Sequence, residues 1–239
     1  MVLLTAQDLI EEPDFIKDVA DYKAFFAKQS QLYTLLQQPE VLLHVESGKH
    51  YLIKPKIREP SSVPHTFYFQ IICGAVAMMI GMSVLAYNFS STSARLYALT
   101  GFSFMLLTFS AAAYSSRELA LQGDLFRFLN AVNHGNAFIF SAAFVSLLWY
   151  YPSRLGGAKF PALAFALGAL AFLSEIFLWF DNNDLTFRYP ILLALLTSLI
   201  LGIWQWVASR KDPLRRAAVK WFLLTLLLGL SNSVQNFPD

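Results

Sequence analysis

Two hydrophobic patterns divide this chain near residue 64. Before that point, apolar residues recur among charges, and Tyr22, Phe25, Phe26, Tyr33 and Leu36 fall at helical spacing. This predicts an amphipathic helix from about Asp18 to Gln38, stopped by Pro39. Val41, Leu43 and Val45 then alternate with Leu42, His44 and Glu46, and after Ser47-Gly48-Lys49 a second extended run covers His50 to Ile57. The expectation is a small α+β head over residues 1–64, its helix covering a hairpin with its apolar stripe. Pro60-Ser-Ser-Val-Pro64 closes it as a stiff linker.

From His65 onward the apolar runs are long enough to cross a bilayer, which takes about 20 helical residues. Five runs qualify: Thr66 to Tyr87, Ala94 to Tyr114, Phe128 to Tyr151, Phe160 to Phe180 and Tyr189 to Ala208. Arg117 to Arg127 mixes Leu119, Leu121, Leu125 and Phe126 with charges, and reads as an interfacial turn or as an extension of the third span. Trp149-Tyr150-Tyr151 and Trp179 gather at span ends, where aromatic side chains anchor at the membrane surface. A sixth run, Ala217 to Leu230, is short for a span and reads as a truncated helix or a re-entrant segment. The predicted fold class is therefore mainly α: a polytopic membrane bundle over residues 65–231, with five full spans and a short sixth, and a polar tail at 232–239.

Composition agrees with that pattern. Of the 239 residues, 56% are hydrophobic and only 14% charged, where a soluble domain carries about 25% charged residues. The net charge of +2 shows no basic excess of the kind nucleic acid demands. A single cysteine, Cys73, excludes an internal disulfide and a cysteine-based metal centre.

The distribution of charge orients the bundle. Arg210, Lys211, Arg215, Arg216 and Lys220 follow the fifth span and place that loop on the cytoplasmic side; Arg154 and Lys159 agree two crossings earlier. Asp181-Asn-Asn-Asp184 then lies outside, and so, counting back, does the head. Yet Met1 to Thr5 is too short for a secretory signal. The expectation is a fragment of a longer protein, one preceded by a further membrane helix, in the cytoplasmic membrane of the cell.

Against this apolar background Asn130-Ala-Val-Asn-His-Gly-Asn136 stands out. Asn130, Asn133 and His134 share one helix face, and His134 lies seven residues beyond Arg127, about 10 Å along the axis. Glu175 is six residues from Asp181 and so at a similar depth below the same surface, with Arg188 and Tyr189 capping the fifth span there. Asn130, Asn133, His134, Glu175 and Arg188 form a candidate outward-facing pocket that binds a signal molecule or senses protons. The competing reading is that these groups are interhelical hydrogen-bond glue. Trp204, Gln205 and Trp206 read as packing and anchoring, and Gly74, Gly81 and Gly101 as sites of close helix approach. No catalytic triad, metal-binding motif, phosphate-binding loop or cofactor signature occurs, so no catalytic residue, metal or cofactor is assigned.

The order of parts resembles the sensor half of PDZ-containing membrane histidine kinases of the competence quorum-sensing type. The resemblance rests on the extended start at Leu3-Leu4, the helix at Asp21 to Gln38, strands at Val41 to Glu46 and Tyr51 to Ile57, the linker, and the Arg127-Phe-Leu-Asn130 start of a long span. It implies an extracytoplasmic, partly PDZ-like head, a membrane bundle, an extracellular peptide or small-molecule signal and a homodimeric assembly. The Gly-rich carboxylate-binding loop of a PDZ domain has no counterpart here. His44, His50, His65 and His134 lack the acidic neighbour of a phosphoacceptor, so kinase activity is not carried by this chain. The expected function is the input portion of such a sensor; the alternatives are a self-standing membrane binding or scaffold protein and, third, a small transporter.

Overall fold

The computed structural model describes residues 2–45, 48–117, 119, 121–220 and 223–224. Single helical turns at Ala6–Leu9 and Pro13–Phe15 lead into α1 (Val19–Leu36), followed by β1 (Val41–His44) and β2 (His50–Ile53). Five long helices follow: α2 (His65–Tyr87), α3 (Thr92–Ser115), α4 (Gly123–Tyr150), α5 (Lys159–Ile176) and α6 (Tyr189–Ala208). All five are long and apolar enough to cross a membrane; the last is counted from Asp184, because a π-helical turn spanning Asp184–Arg188 runs directly into α6.

Local chemistry sets the element ends. The Asp18 carboxylate accepts from the backbone N–H groups of Ala20 at 2.7 Å and Asp21 at 3.3 Å, capping α1. Pro39 disfavours the helical conformation for the residue before it, and α1 ends at Leu36. β1 and β2 pair antiparallel from Val41 opposite Ile53 to His44 opposite His50, around Gly48 at φ 77°. β2 stops at Ile53, short of the Ile57 expected from alternation, because Pro55 has no N–H to give the ladder.

α4 is the hub. It packs against α3, α5, α6 and α1, while α2 packs on α3. Of the apolar window in α4, 56% is buried, against 11% in α2. Gly74, Gly81 and Gly101 all lie on the α2–α3 seam: a Cβ on Gly81 would stand 3.1 Å from the Ala98 Cα, and one on Gly101 would stand 2.5 Å from the Ala77 carbonyl oxygen. Small residues let the two backbones approach, as they do in known membrane helix pairs. α5 and α6 both lean on α4 and leave an apolar groove of about 650 Å³ between them, floored by Ala142 and Val145.

The packing of the head also departs from the sequence-based picture. The stripe of α1 does not cover the hairpin, since every residue of β2 is exposed. Instead Tyr22, Phe25 and Phe26 share a core with Ile16, Tyr114 and Phe126 at one end of the bundle. Aromatic edges find aromatic partners there, and burying three large rings outweighs what a two-stranded ribbon offers. Residues 213–220 are helical, with Val219 buried, and Leu223 lies against Gly202 of α6. The rest of the expected sixth run at Ala217 to Leu230, and the tail at 232–239, lie outside the described residues.

Candidate functional site

The mouth of the bundle is built from α4 upward in chain order. At its start Gly123 faces α1 so closely that a Cβ there would overlap the Phe26 carbonyl oxygen. One turn on, Phe126 is fully buried, its ring 5.6 Å from Phe25 and 5.2 Å from Phe26, both edge-on. Another turn brings Asn130, whose Nδ2 donates to the Tyr22 hydroxyl at 2.9 Å. His134 follows on the same face, as the 3.6-residue period requires.

The N-terminal segment is tied over this mouth by backbone groups. Arg117, just beyond α3, donates from its guanidinium to the carbonyls of Ile10 at 2.5 Å and Glu11 at 3.1 Å, and lies 4.2 Å over the Phe126 ring. Burial lowers its pKa to about 10, and the nearby Glu11 charge opposes that shift, so Arg117 is charged at neutral pH. The linker between α5 and α6 contributes as well: Asn183 N donates to Lys17 O at 2.9 Å, and Asn183 Nδ2 to Ile16 O at 2.8 Å. Asp8 anchors the outer turn, accepting from Thr5 N at 2.6 Å and from Lys28 Nζ at 2.5 Å. Burial works to raise the Asp8 pKa, but the Lys28 and Thr5 hydrogen bonds prevail and hold it below the ordinary carboxylate value.

His134 lies at the centre, 3% exposed. Its Nδ1 bonds Glu175 Oε1 of α5, and its Nε2 lies 2.8 Å from Asp14 Oδ1 of the turn Pro13–Phe15. The Phe187 ring stacks on the imidazole at 3.6 Å between centroids, tilted 11°. A neutral imidazole has one N–H and an ionised carboxylate has none. Satisfying both bonds therefore requires one further proton within the trio, as an imidazolium or on one of the two carboxyl groups.

Around the trio lies a cavity of about 250 Å³ whose lining includes Glu12, Asp14, Tyr22, His134, Glu175, Asp184, Phe187 and Arg188. Arg188 Nη1 is 3.3 Å from Asp184 Oδ1, and Lys17 Nζ is 4.0 Å from Asp184 Oδ2. Desolvation by the protein around it, then the Asp14 and Glu11 charges, push the carboxyl of the solvent-exposed Glu12 above its ordinary value. Burial, then Glu175 and Asp14, push the Tyr22 phenol up, so it stays protonated. Glu175 Oε2 and Asn130 Oδ1 are buried with no hydrogen-bond partner among the described residues. No group of three or more His, Cys, Asp or Glu side chains among those residues is arranged to hold a metal ion.

Of the five residues singled out from sequence, His134 and Glu175 are in direct contact and Arg188 lines the same cavity. Asn130 bonds the head through Tyr22. Asn133 does not join them: its Nδ2 donates to Leu107 O of α3 at 2.8 Å, an interhelical hydrogen bond. Sequence reasoning missed Asp14, Tyr22 and Phe187. Tyr22 was legible only as part of an apolar stripe, and Asp14 carried no signal beyond its place between Pro13 and Phe15. Compared with known proteins, the chain matches no family model, no curated protein and no solved structure.

Proposed function

We propose that this chain is a multi-pass membrane sensor in which the His134 trio latches the N-terminal segment to the bundle and reports its state through α4 and α5. The observation that carries the reading is that a single imidazole is bonded by Asp14 from the head on one nitrogen and by Glu175 from α5 on the other. One proton decides whether both bonds can exist at once. When it leaves, a nitrogen lone pair faces a carboxylate oxygen, and one of the two contacts, to Asp14 in the head or to Glu175 in α5, turns repulsive. The five apolar helices support a membrane setting. The loop charges support placing the head outside the cytoplasmic membrane, and the resemblance named above supports a homodimer as the assembly.

In that reading, protons or a small extracellular ligand bias two packings of the mouth, and the bundle passes the difference inward. The resemblance to the input half of membrane histidine kinases supports an output of that class on the cytoplasmic side. A second reading, a docking scaffold, is favoured by the exposed Tyr51, Leu52 and Ile53 of β2.

The groups facing His134 are Asp14, Glu12 and Tyr22 from the head, Glu175 from α5, and Asp184, Phe187 and Arg188 from the turn before α6. The test uses spin labels at Leu9→Cys and Lys159→Cys in a Cys73→Ser background, with the inter-label distance measured from about pH 5 to about pH 10. A narrow distribution that broadens as pH rises, and a His134→Gln variant that does not respond, are expected. A distribution unchanged across that range in the parent protein overturns the latch.

A further inference from the structure

The same cavity has more negative charge than the latch uses. Four carboxylates line it, from Glu12, Asp14, Glu175 and Asp184, against the Arg188 guanidinium and the His134 imidazole. Asp184 already has Arg188 and Lys17 beside it, and Asp14 has His134. Glu175 is different. It is 7% exposed, one oxygen bonds His134, and the other is buried with no hydrogen-bond partner among the described residues. A buried carboxylate oxygen left without a donor is costly, and Glu175 is one of the residues lining the cavity.

We propose that the cavity binds a small organic cation with N–H donors, a short-chain primary ammonium, through a charge-assisted hydrogen bond to Glu175 Oε2. The volume sets the size. About 250 Å³ falls below the ~300–1,000 Å³ of sites for drug-sized ligands. Phe15, Ile191 and Leu192 line the cavity as well and offer apolar surface to a short alkyl chain. The N–H requirement follows from the orphan oxygen, which needs a donor and not merely a positive charge. The bound cation adds positive charge beside the carboxylates that His134 bridges, so occupancy and docking of the N-terminal segment favour each other, whichever comes first.

This inference rests on the reading of the His134 cluster as the sensing site, and the experiment separates the two. The full chain in lipid nanodiscs is titrated with propylammonium chloride, with tetramethylammonium chloride as a control that has the charge but no N–H. Binding is read by calorimetry and by the thermal unfolding midpoint. Saturable binding of propylammonium is expected, with no effect of the control. Glu175→Gln, which keeps an acceptor for His134, should weaken it by roughly tenfold to a hundredfold, the worth of one charge-assisted hydrogen bond. Leu192→Trp, which fills the cavity without changing charge, should abolish it and keeps the test valid if Glu175→Gln does not fold. No saturable binding, equal binding of tetramethylammonium, or affinity unchanged in both variants overturns the proposal. The pH-driven broadening between Leu9 and Lys159 labels is then measured in amine-free buffer. Its persistence leaves the latch standing without the cation site, and its absence removes both.

Discussion

α4 is pinned at two levels by polar side chains of opposite character. At the Tyr150 end Gln205 of α6 is fully buried, and its whole amide is used: Nε2 donates to Leu148 O at 2.8 Å and Ser153 O at 2.6 Å, and Oε1 accepts from Ser153 Oγ at 2.9 Å. Nothing there titrates. Three turns in from Gly123, at His134, the pin is an imidazole between two carboxylates, with a spare buried oxygen beside it. Both levels bury polar atoms in apolar surroundings, yet one is saturated and neutral and the other is charged and incomplete. A saturated amide behaves as a staple under all conditions. A trio whose two hydrogen bonds need one added proton is where the proposed sensing would act, and this difference separates structural glue from a candidate sensing element.

The contrast predicts unequal costs. Glu175→Leu leaves the imidazole with one carboxylate partner in a buried site and should lower stability by roughly 3–5 kcal/mol, with a pH dependence that follows the histidine. Gln205→Leu strands two carbonyl oxygens and one hydroxyl, and should lower it by roughly 1–3 kcal/mol at every pH. Thermal unfolding of both variants in micelles across pH checks the pair; equal and pH-independent losses would remove the distinction between the levels.

Arg117→Leu sharpens the comparison by loosening the segment that carries Asp14 while leaving the three side chains of the trio unchanged. The loss should be about 1–3 kcal/mol, seen as proteolytic cleavage near Ile10 and Glu11 while the Gln205 end stays protected. Gly123→Ala forces α1 away from the first turn of α4. A smaller loss of about 1–2 kcal/mol is expected, again confined to the head and readable by hydrogen exchange in α1.

The smallest effect belongs to Glu12. Its folded pKa lies above its ordinary one. Its contribution to stability is therefore fully present below the unfolded pKa and lost as pH rises through the folded value. Glu12→Gln should remove that loss and stabilise the head at neutral pH by a few tenths of a kcal/mol. A midpoint at neutral pH no higher than that of the parent would show that the crowding at Glu12 is relieved by solvent.

Much of the bundle was legible in the sequence because membrane helices write their length directly in apolar runs. Some ends differ: the third helix begins at Gly123, so of the two readings of Arg117 to Arg127 the extension holds from Gly123 on, its first turn being covered by the head, and the fourth helix ends at Ile176 instead of Phe180. Counting residues from the loops put His134 and Glu175 at one level, and their side chains meet. Asp14 could not be found that way. It lies outside the spans, where depth counting has no purchase, and it reaches His134 only because Arg117 and Asn183 bind backbone carbonyls that any sequence supplies. For the same reason the covering of α1 was misassigned, since the Phe25 and Phe26 stripe specifies an apolar partner but not which one.

The trio also sets an order of events during synthesis. Asp14 leaves the ribosome first, His134 long after it, and Glu175 last. At about 5–20 residues per second, the acidic N-terminal segment waits roughly ten to thirty seconds for the imidazole and second carboxylate that complete its anchorage. Closure of the mouth is thus a late event in biogenesis, and a chain in which Asp14 is protected from solvent has already assembled α4 with α5.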